Sequence, residues 1–272
     1  MIATNAALGL ITARLQAAGV EDARREARII LAAALNTDAA GLLARDEVDE
    51  TAFEPLVRRR EAREPLAYIL GRREFWGLMF EVSPATLIPR PDSETLVEAV
   101  LGLNPKRILD LGTGTGCLLL AVLSEFPQAY GVGVDISPAA AALAAKNAAA
   151  LGLAKRAAFF AGNWAEAIAG QFDLVLSNPP YIPGPEIAEL MPEVAGYEPR
   201  TALEGGADGL EAYRRIIAAL PRILTENGTA VLELGAGQAT SVEDIAREAG
   251  FTCTMRRDLG DIERAAVLVR CK

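Results

Sequence analysis

Over residues 4–70 apolar side chains recur every three or four positions, the spacing of one face of a helix. Thr4 stands where it can cap a helix running to Gly19, with Leu8, Ile11, Leu15 and Ala18 on one side. A second helix is expected over Glu21–Leu35, with Ala27, Ile30, Leu31 and Ala34 as its apolar stripe. A short third starts at Thr37-Asp38 and ends near Ala44, a fourth covers Glu50–Arg63, and a fifth, Pro65–Leu70, stops at Gly71. Short links between such helices favour antiparallel neighbours, and hence a small bundle.

The period changes at Arg72. RREFWGLMFEVSPATLIPRP alternates and carries aromatic rings, with Gly77 between its two halves, which predicts a β-hairpin linking two parts. Asp92–Leu103 is helical again. From Lys106 onward strands and helices alternate: RILDL, helix Cys117–Glu125, YGVGVDI, a helix from Ser137-Pro138 to Gly152, AAFFA, a short helix near Ala165–Ile168, and FDLVLS. A long loop, a helix from about Gly209 to Leu224, GTAVLELG, a helix near Thr240–Ala249, FTCTMRRD and AAVLVR follow. Alternating units of this kind build a doubly wound, Rossmann-like α/β sheet, mostly parallel, and the last two strands make an antiparallel edge. The expected division is a helical bundle over 1–71, a hairpin linker over 72–89 and an α/β domain over 90–272.

Composition narrows the chemistry. The chain has 272 residues, no histidine and three scattered cysteines. Imidazole bases, histidine-ligated metals and a disulfide framework are therefore not expected, and no metal site is. The N-terminus has a helical period and no basic segment before it, so a structural helix is expected there rather than a signal peptide. Apolar stretches such as 139–153 are alanine-rich and carry Lys146 and Asn147, which does not fit a membrane span. A cytoplasmic monomer is expected. The net charge is −9, nearly all of it after residue 75, where acids exceed bases by eight. Extended binding to a phosphate backbone wants the opposite sign.

Three strand ends carry candidate chemistry. Gly112-Thr113-Gly114-Thr115-Gly116 follows RILDL and opens a helix, whose free N–H groups and close backbone approach suit a nucleotide-like ligand. The spacing is G-x-G-x-G and lacks the third glycine of the dinucleotide fingerprint. Asp135 ends the second strand, where a carboxylate can bind ribose hydroxyls. Both features occur at nicotinamide and at S-adenosylmethionine sites. Asn163 and Trp164 end the third strand and are placed to flank an adenine.

The fourth strand decides between these cofactors, because it ends in Asn178-Pro179-Pro180-Tyr181. Asn178 offers a side-chain carbonyl, Pro179 a backbone carbonyl held by two fixed φ angles, and Tyr181 a flat ring. Two acceptors and a ring suit a planar –NH₂ group, whose nitrogen they would turn toward a sulfonium methyl. Arg90, locked between Pro89 and Pro91, is expected near the rim of the site or in a structural ion pair. Glu198 and Arg200 are expected to tie down the long loop after Tyr181.

REFWGLMFEVSPATLIPRPDSE, ILDLGTGTG, SNPPYIP, YEPRTALEGGADGLEAYRRII and RDLGDIERAAVLVR together resemble the release factor glutamine methyltransferase family, known as PrmC or HemK, over residues 65–272. The resemblance implies a class I methyltransferase fold, S-adenosyl-L-methionine as methyl donor and S-adenosyl-L-homocysteine as product. It further implies class-1 peptide chain release factors as the protein substrate, modified at N5 of the glutamine in their Gly-Gly-Gln loop. Gly112 to Gly116, Asp135, Trp164 and Asn178 match the family's cofactor positions, and Asn178, Pro179, Pro180 and Tyr181 its glutamine site. Asn163 departs from the acid usual there, and Leu234 from a histidine common after Glu233. The N-P-P-Y run alone also fits an adenine-N6 methyltransferase acting on nucleic acid, against which the acidic charge counts. A nucleotide-binding module without catalysis is the third reading.

Overall fold

The computed structural model describes residues 1–271. They form two compact units, one of Met1–Arg72 with Met191–Tyr197, the other of residues 73–190 and 198–271.

In the first unit β1 (Ile2–Ala3) leads into α1 (Thr4–Ala17), followed by α2 (Ala23–Ala34), α3 (Ala39–Leu43), β2 (Glu47–Val48), α4 (Glu50–Glu61) and α5 (Leu66–Leu70). The two short strands escape a periodicity reading, and they displace the expected cap. Pairing of Ala3 with Glu47 holds the chain extended up to the helix start. Thr4 is therefore already helical, and its Oγ1 donates to the Arg45 carbonyl at 2.6 Å instead of capping. Asp38 does cap α3, accepting from Gly41 N at 2.8 Å. Ile11, Leu15, Ile30, Leu31, Phe53 and Val57 form the core, on the faces that the three- and four-residue spacing marks.

The hairpin of β3 (Arg72–Phe75) and β4 (Leu78–Glu81) lies, from Arg73 on, in the second unit. Its two-residue turn, Trp76-Gly77, has φ of 53° and 67°, the left-handed pair of a type I′ turn. Phe75 and Phe80 are buried edge to face with their centroids 6.4 Å apart, in one cluster with Leu96, Leu119 and Val122. The hairpin is thus packed into the core of this unit and is not a free linker. A 3₁₀ turn, Pro91–Ser93, then leads into α6 (Glu94–Val100).

The sheet comes next: β5 (Arg107–Leu111), α7 (Cys117–Glu125), β6 (Tyr130–Asp135), α8 (Pro138–Ala150), β7 (Ala157–Ala161) and β8 (Phe172–Ser177). The helix expected near Ala165–Ile168 is a run of turns. Trp164 sits at φ 49°, and Arg222 draws off the carbonyls of Ala165 and Ile168, each at 2.6 Å, so no helical ladder forms. α9 (Pro192–Tyr197) belongs to the first unit, where Glu193 accepts from Arg60 Nη1 at 2.9 Å and Arg63 Nη2 at 2.7 Å. The expected α/β range of 90–272 is interrupted there. α10 (Glu211–Ile223), β9 (Leu224–Glu233), α11 (Ala239–Glu248), β10 (Phe251–Arg257) and β11 (Glu263–Arg270) complete the unit.

The seven strands lie in the order β10-β11-β9-β8-β5-β6-β7. β7, β6, β5, β8 and β9 run parallel, and β11 pairs antiparallel with both β9 and β10. Successive residues of β5 and β8 face opposite sides. Leu109 and Val175 join Ile216, Leu220 and Val242 on one face, while Ile108 and Leu174 join Leu119 and Val122 on the other. The chain winds from β5 out to β7 and then returns to lay β8 on the other side of β5. That reversal opens a crevice at the carboxyl ends of β5 and β8, where ligands of such sheets bind. Among the described residues no helix is long and apolar enough to cross a membrane.

Candidate active site

A cavity of about 490 Å³ occupies this crevice. Its walls come from the turn after β5, the ends of β6 and β7, Asn178 and Pro180 after β8, and the segment around Arg90.

The glycine turn is built as the sequence suggests, with one qualification. Gly112, Gly114 and Gly116 have φ of 75°, 52° and 79°, values that only glycine adopts without strain. At Gly116 a Cβ would lie 3.1 Å from the Ala144 Cβ, so this glycine also lets α7 and α8 approach. The hydroxyls of Thr113 and Thr115 are taken up by neighbours of the turn. Thr113 Oγ1 donates to Asp110 Oδ2 at 2.6 Å, and Thr115 Oγ1 accepts from Cys117 N at 3.3 Å. Both residues line the cavity, yet the turn offers it mainly backbone. Burial pushes the Asp110 carboxyl beneath up to about 7.

Asp135 is half-buried and accepts from Gly114 N at 2.8 Å and Ser137 N at 2.9 Å, one bond to each oxygen. Each oxygen keeps a lone pair for a ligand hydroxyl. Burial raises its carboxyl above the ordinary range. Asn163 donates through Nδ2 to Glu166 Oε1, which leaves its carbonyl oxygen for an adenine amine. Trp164 lines the cavity and packs on the sheet core. A Cβ on Gly112 would come within 3.6 Å of the Trp164 ring. Ile136, 63% exposed, adds an apolar wall that the sequence reading missed. Glycines that bare the backbone, a carboxylate with lone pairs to spare, an amide carbonyl and two apolar side chains fit a nucleoside, and thus S-adenosylmethionine.

Asn178 donates through Nδ2 to Ser93 Oγ at 3.1 Å, its one side-chain hydrogen bond among the described residues. Ser93 in turn bonds Glu233 Oε2. Burial pushes the Glu233 carboxyl up to about 7. Pro179 and Tyr181 lie behind the cavity wall rather than in it. The Tyr181 ring packs on the core, its carbonyl accepts from Gln238 Nε2 at 2.9 Å, and its hydroxyl stands 3.5 Å from Glu233 Oε1. The flat floor expected of Tyr181 is therefore turned toward the core. Arg90 lines the cavity and also pairs with Glu198 at 2.5 Å. Glu198 further accepts from Ile88 N at 3.1 Å, and Arg200 pairs with Glu204 at 2.6 Å. Ser93 and Glu233 were not read as site residues. The signal was present as a lone acid in the apolar run TAVLELG.

Known proteins resemble this chain over most of its length. The PrmC N-terminal domain matches residues 6–71, and the methyltransferase small domain residues 91–195. A release factor glutamine methyltransferase of Rhodospirillum rubrum is 48% identical over 267 residues, covering 94% of this chain and 82% of its own. One from Bradyrhizobium diazoefficiens is 45% identical, covering 94% and 91%. Among solved structures, a Pyrococcus furiosus methyltransferase superposes with a TM-score of 0.57 at 17% identity, over 72% of this chain and 90% of that one. A T. thermophilus 16S rRNA methyltransferase in complex with AdoMet and guanosine gives 0.53 at 20%, over 74% and 50%. At these identities the two show a shared fold and nothing further. The two release factor glutamine methyltransferases match 94% of this chain at 48% and 45% identity, so the chain belongs to the release factor glutamine methyltransferase family.

Proposed function

We propose that this chain transfers a methyl group from S-adenosylmethionine to N5 of the glutamine in the Gly-Gly-Gln motif of class-1 peptide chain release factors. The observation that carries this reading is Asn178, a strand-end amide on the cavity wall with its NH₂ spent on Ser93. Its carbonyl oxygen is left to accept from a substrate amide.

The turn Gly112–Gly116, Asp135, Asn163 and Trp164 hold the cofactor through backbone, ribose and adenine contacts. When bound, S-adenosylmethionine supplies a methyl group on a positive sulfur, which is given up as a neutral thioether leaves. Asn178 Oδ1 accepts from the NH₂ of the glutamine amide; Pro179, which does not line the cavity, is not given the second bond expected of it. An amide nitrogen is a poor nucleophile because its lone pair is delocalised. Holding that NH₂ on a fixed acceptor favours a pyramidal nitrogen and aims the lone pair, which is catalysis by position and oriented dipoles. Pro180 and Arg90 shape the entrance, and Tyr181 backs Asn178. The methylated nitrogen is strongly acidic and sheds its proton to water without a dedicated base, in keeping with a chain that has no histidine.

The helical unit is assigned to docking the release factor, and the acidic second part to keeping nucleic acid out. The protein is assigned to the cytoplasm as a monomer. Incubation with a purified release factor and S-adenosylmethionine should add one CH₂ to that glutamine by mass spectrometry, and add nothing to DNA or RNA. A methylated adenine with no modified glutamine would overturn the reading.

A further inference from the structure

Two buried polar side chains, Ser93 and Glu233, stand behind Asn178. Ser93 closes the 3₁₀ turn before α6, and Glu233 ends β9. They are 4% and 2% exposed and are hydrogen-bonded to each other. The same Ser93 oxygen takes the hydrogen bond from Asn178. A row of three side chains thus runs inward from the cavity wall.

The row has a direction set by proton count. A carboxylate only accepts, while a hydroxyl has one hydrogen and two lone pairs. With Glu233 ionised, the Ser93 hydrogen points at Glu233 and a lone pair faces Asn178. Only the NH₂ end of Asn178 can meet that lone pair. The two ends of an amide are nearly equal in shape, so packing alone does not choose between them.

We propose that Ser93 and Glu233 are positioning residues that fix the rotamer of Asn178, with its NH₂ turned inward and its carbonyl oxygen presented to the substrate amide. The proposal rests on the methyl-transfer reading. Protonation of Glu233 undoes the arrangement. The carboxylic acid donates to Ser93, the Ser93 hydrogen is released toward Asn178, and the amide can turn. Its NH₂ then faces the NH₂ of the glutamine, donor against donor.

Burial favours the neutral form of Glu233. Arg264 on β11 opposes that, but its guanidinium is shared with Asp258 at 3.1 Å and Asp92 at 3.4 Å. The other ionisable groups facing Glu233 are Tyr181, Tyr213 on α10, whose hydroxyl donates to the Glu233 carbonyl at 2.8 Å, and Cys117 on α7. Burial raises all three, which keeps them neutral where Glu233 titrates.

Full-length Ser93→Ala, Ser93→Thr and Glu233→Gln test this, with kcat and KM measured from about pH 5.5 to 8.5, a range that brackets a carboxyl near neutrality. Binding of S-adenosylhomocysteine and thermal melting report on the fold. Ser93→Ala should lower kcat by about ten- to a hundredfold, the scale of one lost buried hydrogen bond, with cofactor binding unchanged. Ser93→Thr should restore most of the loss. In the wild type kcat should fall as pH drops through about 7, and Glu233→Gln should flatten that limb. The Asn178 side-chain amide signals in ¹H–¹⁵N spectra should titrate with the same midpoint in the wild type and not in Glu233→Gln. Folded variants with wild-type kcat and an unchanged acid limb would overturn the proposal, as would loss of cofactor binding in parallel with kcat. If the Asn178 signals titrate as expected and no glutamine is methylated, the relay stands and the methyl-transfer reading falls instead.

Discussion

Asn178 has a donor end and an acceptor end, and the chemistry needs only one of them in the cavity. Asn178→Ala removes the acceptor and should lower kcat by about 10²–10³, the usual cost of one preorganised polar contact. Binding of S-adenosylhomocysteine by calorimetry should change far less. Equal losses in both would reassign Asn178 to cofactor binding alone. Asp110 poses a different problem, since it is 1% exposed and its carboxylate accepts from the Thr113 hydroxyl. Burial lifts its pKa from 3.8 to about 7, so between those values the folded chain binds more protons there than the unfolded chain. Its contribution to stability therefore falls as pH rises through that window. Asp110→Asn keeps an acceptor for Thr113 and removes the charge. Denaturant titrations from pH 4 to 8 should find the variant gaining on the wild type as pH rises. A constant difference would mean that Asp110 is not buried as an acid.

At the scale of elements, the site depends on how closely β6 passes the glycine turn. A Cβ on Gly133 would sit 2.5 Å from the Phe159 ring and 2.8 Å from Thr113 Oγ1. Gly133→Ala should therefore cost about 1–3 kcal/mol, as overpacking does. Melting curves would show it, along with weaker cofactor binding because Thr113 braces the turn. The strands were legible because Val, Ile, Leu and Phe alternate or run together between turn residues, and the hairpin because Gly77 sits between two alternating, aromatic-bearing halves. The turns at 164–168 were not, because their helical pattern is overridden by Arg222, which is distant in sequence. Thr4 likewise reads as a cap until β1 pairs with β2. Each miss is a local preference outweighed by a partner that the local sequence does not contain.

At the scale of the molecule, α9 is the part of the second half of the chain that joins the first unit. Glu193 is 7% exposed there and is held by Arg60 and Arg63, while Arg60, 5% exposed, also pairs with Glu26 at 2.5 Å. Burial works against the Glu193 charge, but the two guanidiniums outweigh it and hold the carboxyl below its usual value. Glu193→Ala would leave Arg60 with one carboxylate partner in place of two, at a cost of about 1.5–3 kcal/mol, the scale of a lost hydrogen bond to a charged group. Hydrogen exchange should show faster opening of α2 and α4 than of β5 and β8. Equal protection in wild type and variant would show the pair to be dispensable. Deleting residues 1–70 should raise KM for the release factor while the remaining unit still binds S-adenosylhomocysteine. A normal KM would remove the docking role given to that unit.

The sequence by itself determined the α/β order, the helical first part, the glycine turn, Asp135 and the Asn-Pro-Pro-Tyr exit. All of these follow from periodicity, backbone restriction and residue chemistry within a few positions. It also carried the family, through motifs spread over most of the chain. Only the tertiary structure decided that Tyr181 faces the core, that neighbours of the turn take up the hydroxyls of Thr113 and Thr115, and that Arg90 is both rim and ion pair. It alone joined Ser93 to Asn178 and Glu233, which lie 85 and 140 residues away. A hydrogen bond chooses its partner by distance in space, and the winding of β8 back beside β5 sets those distances.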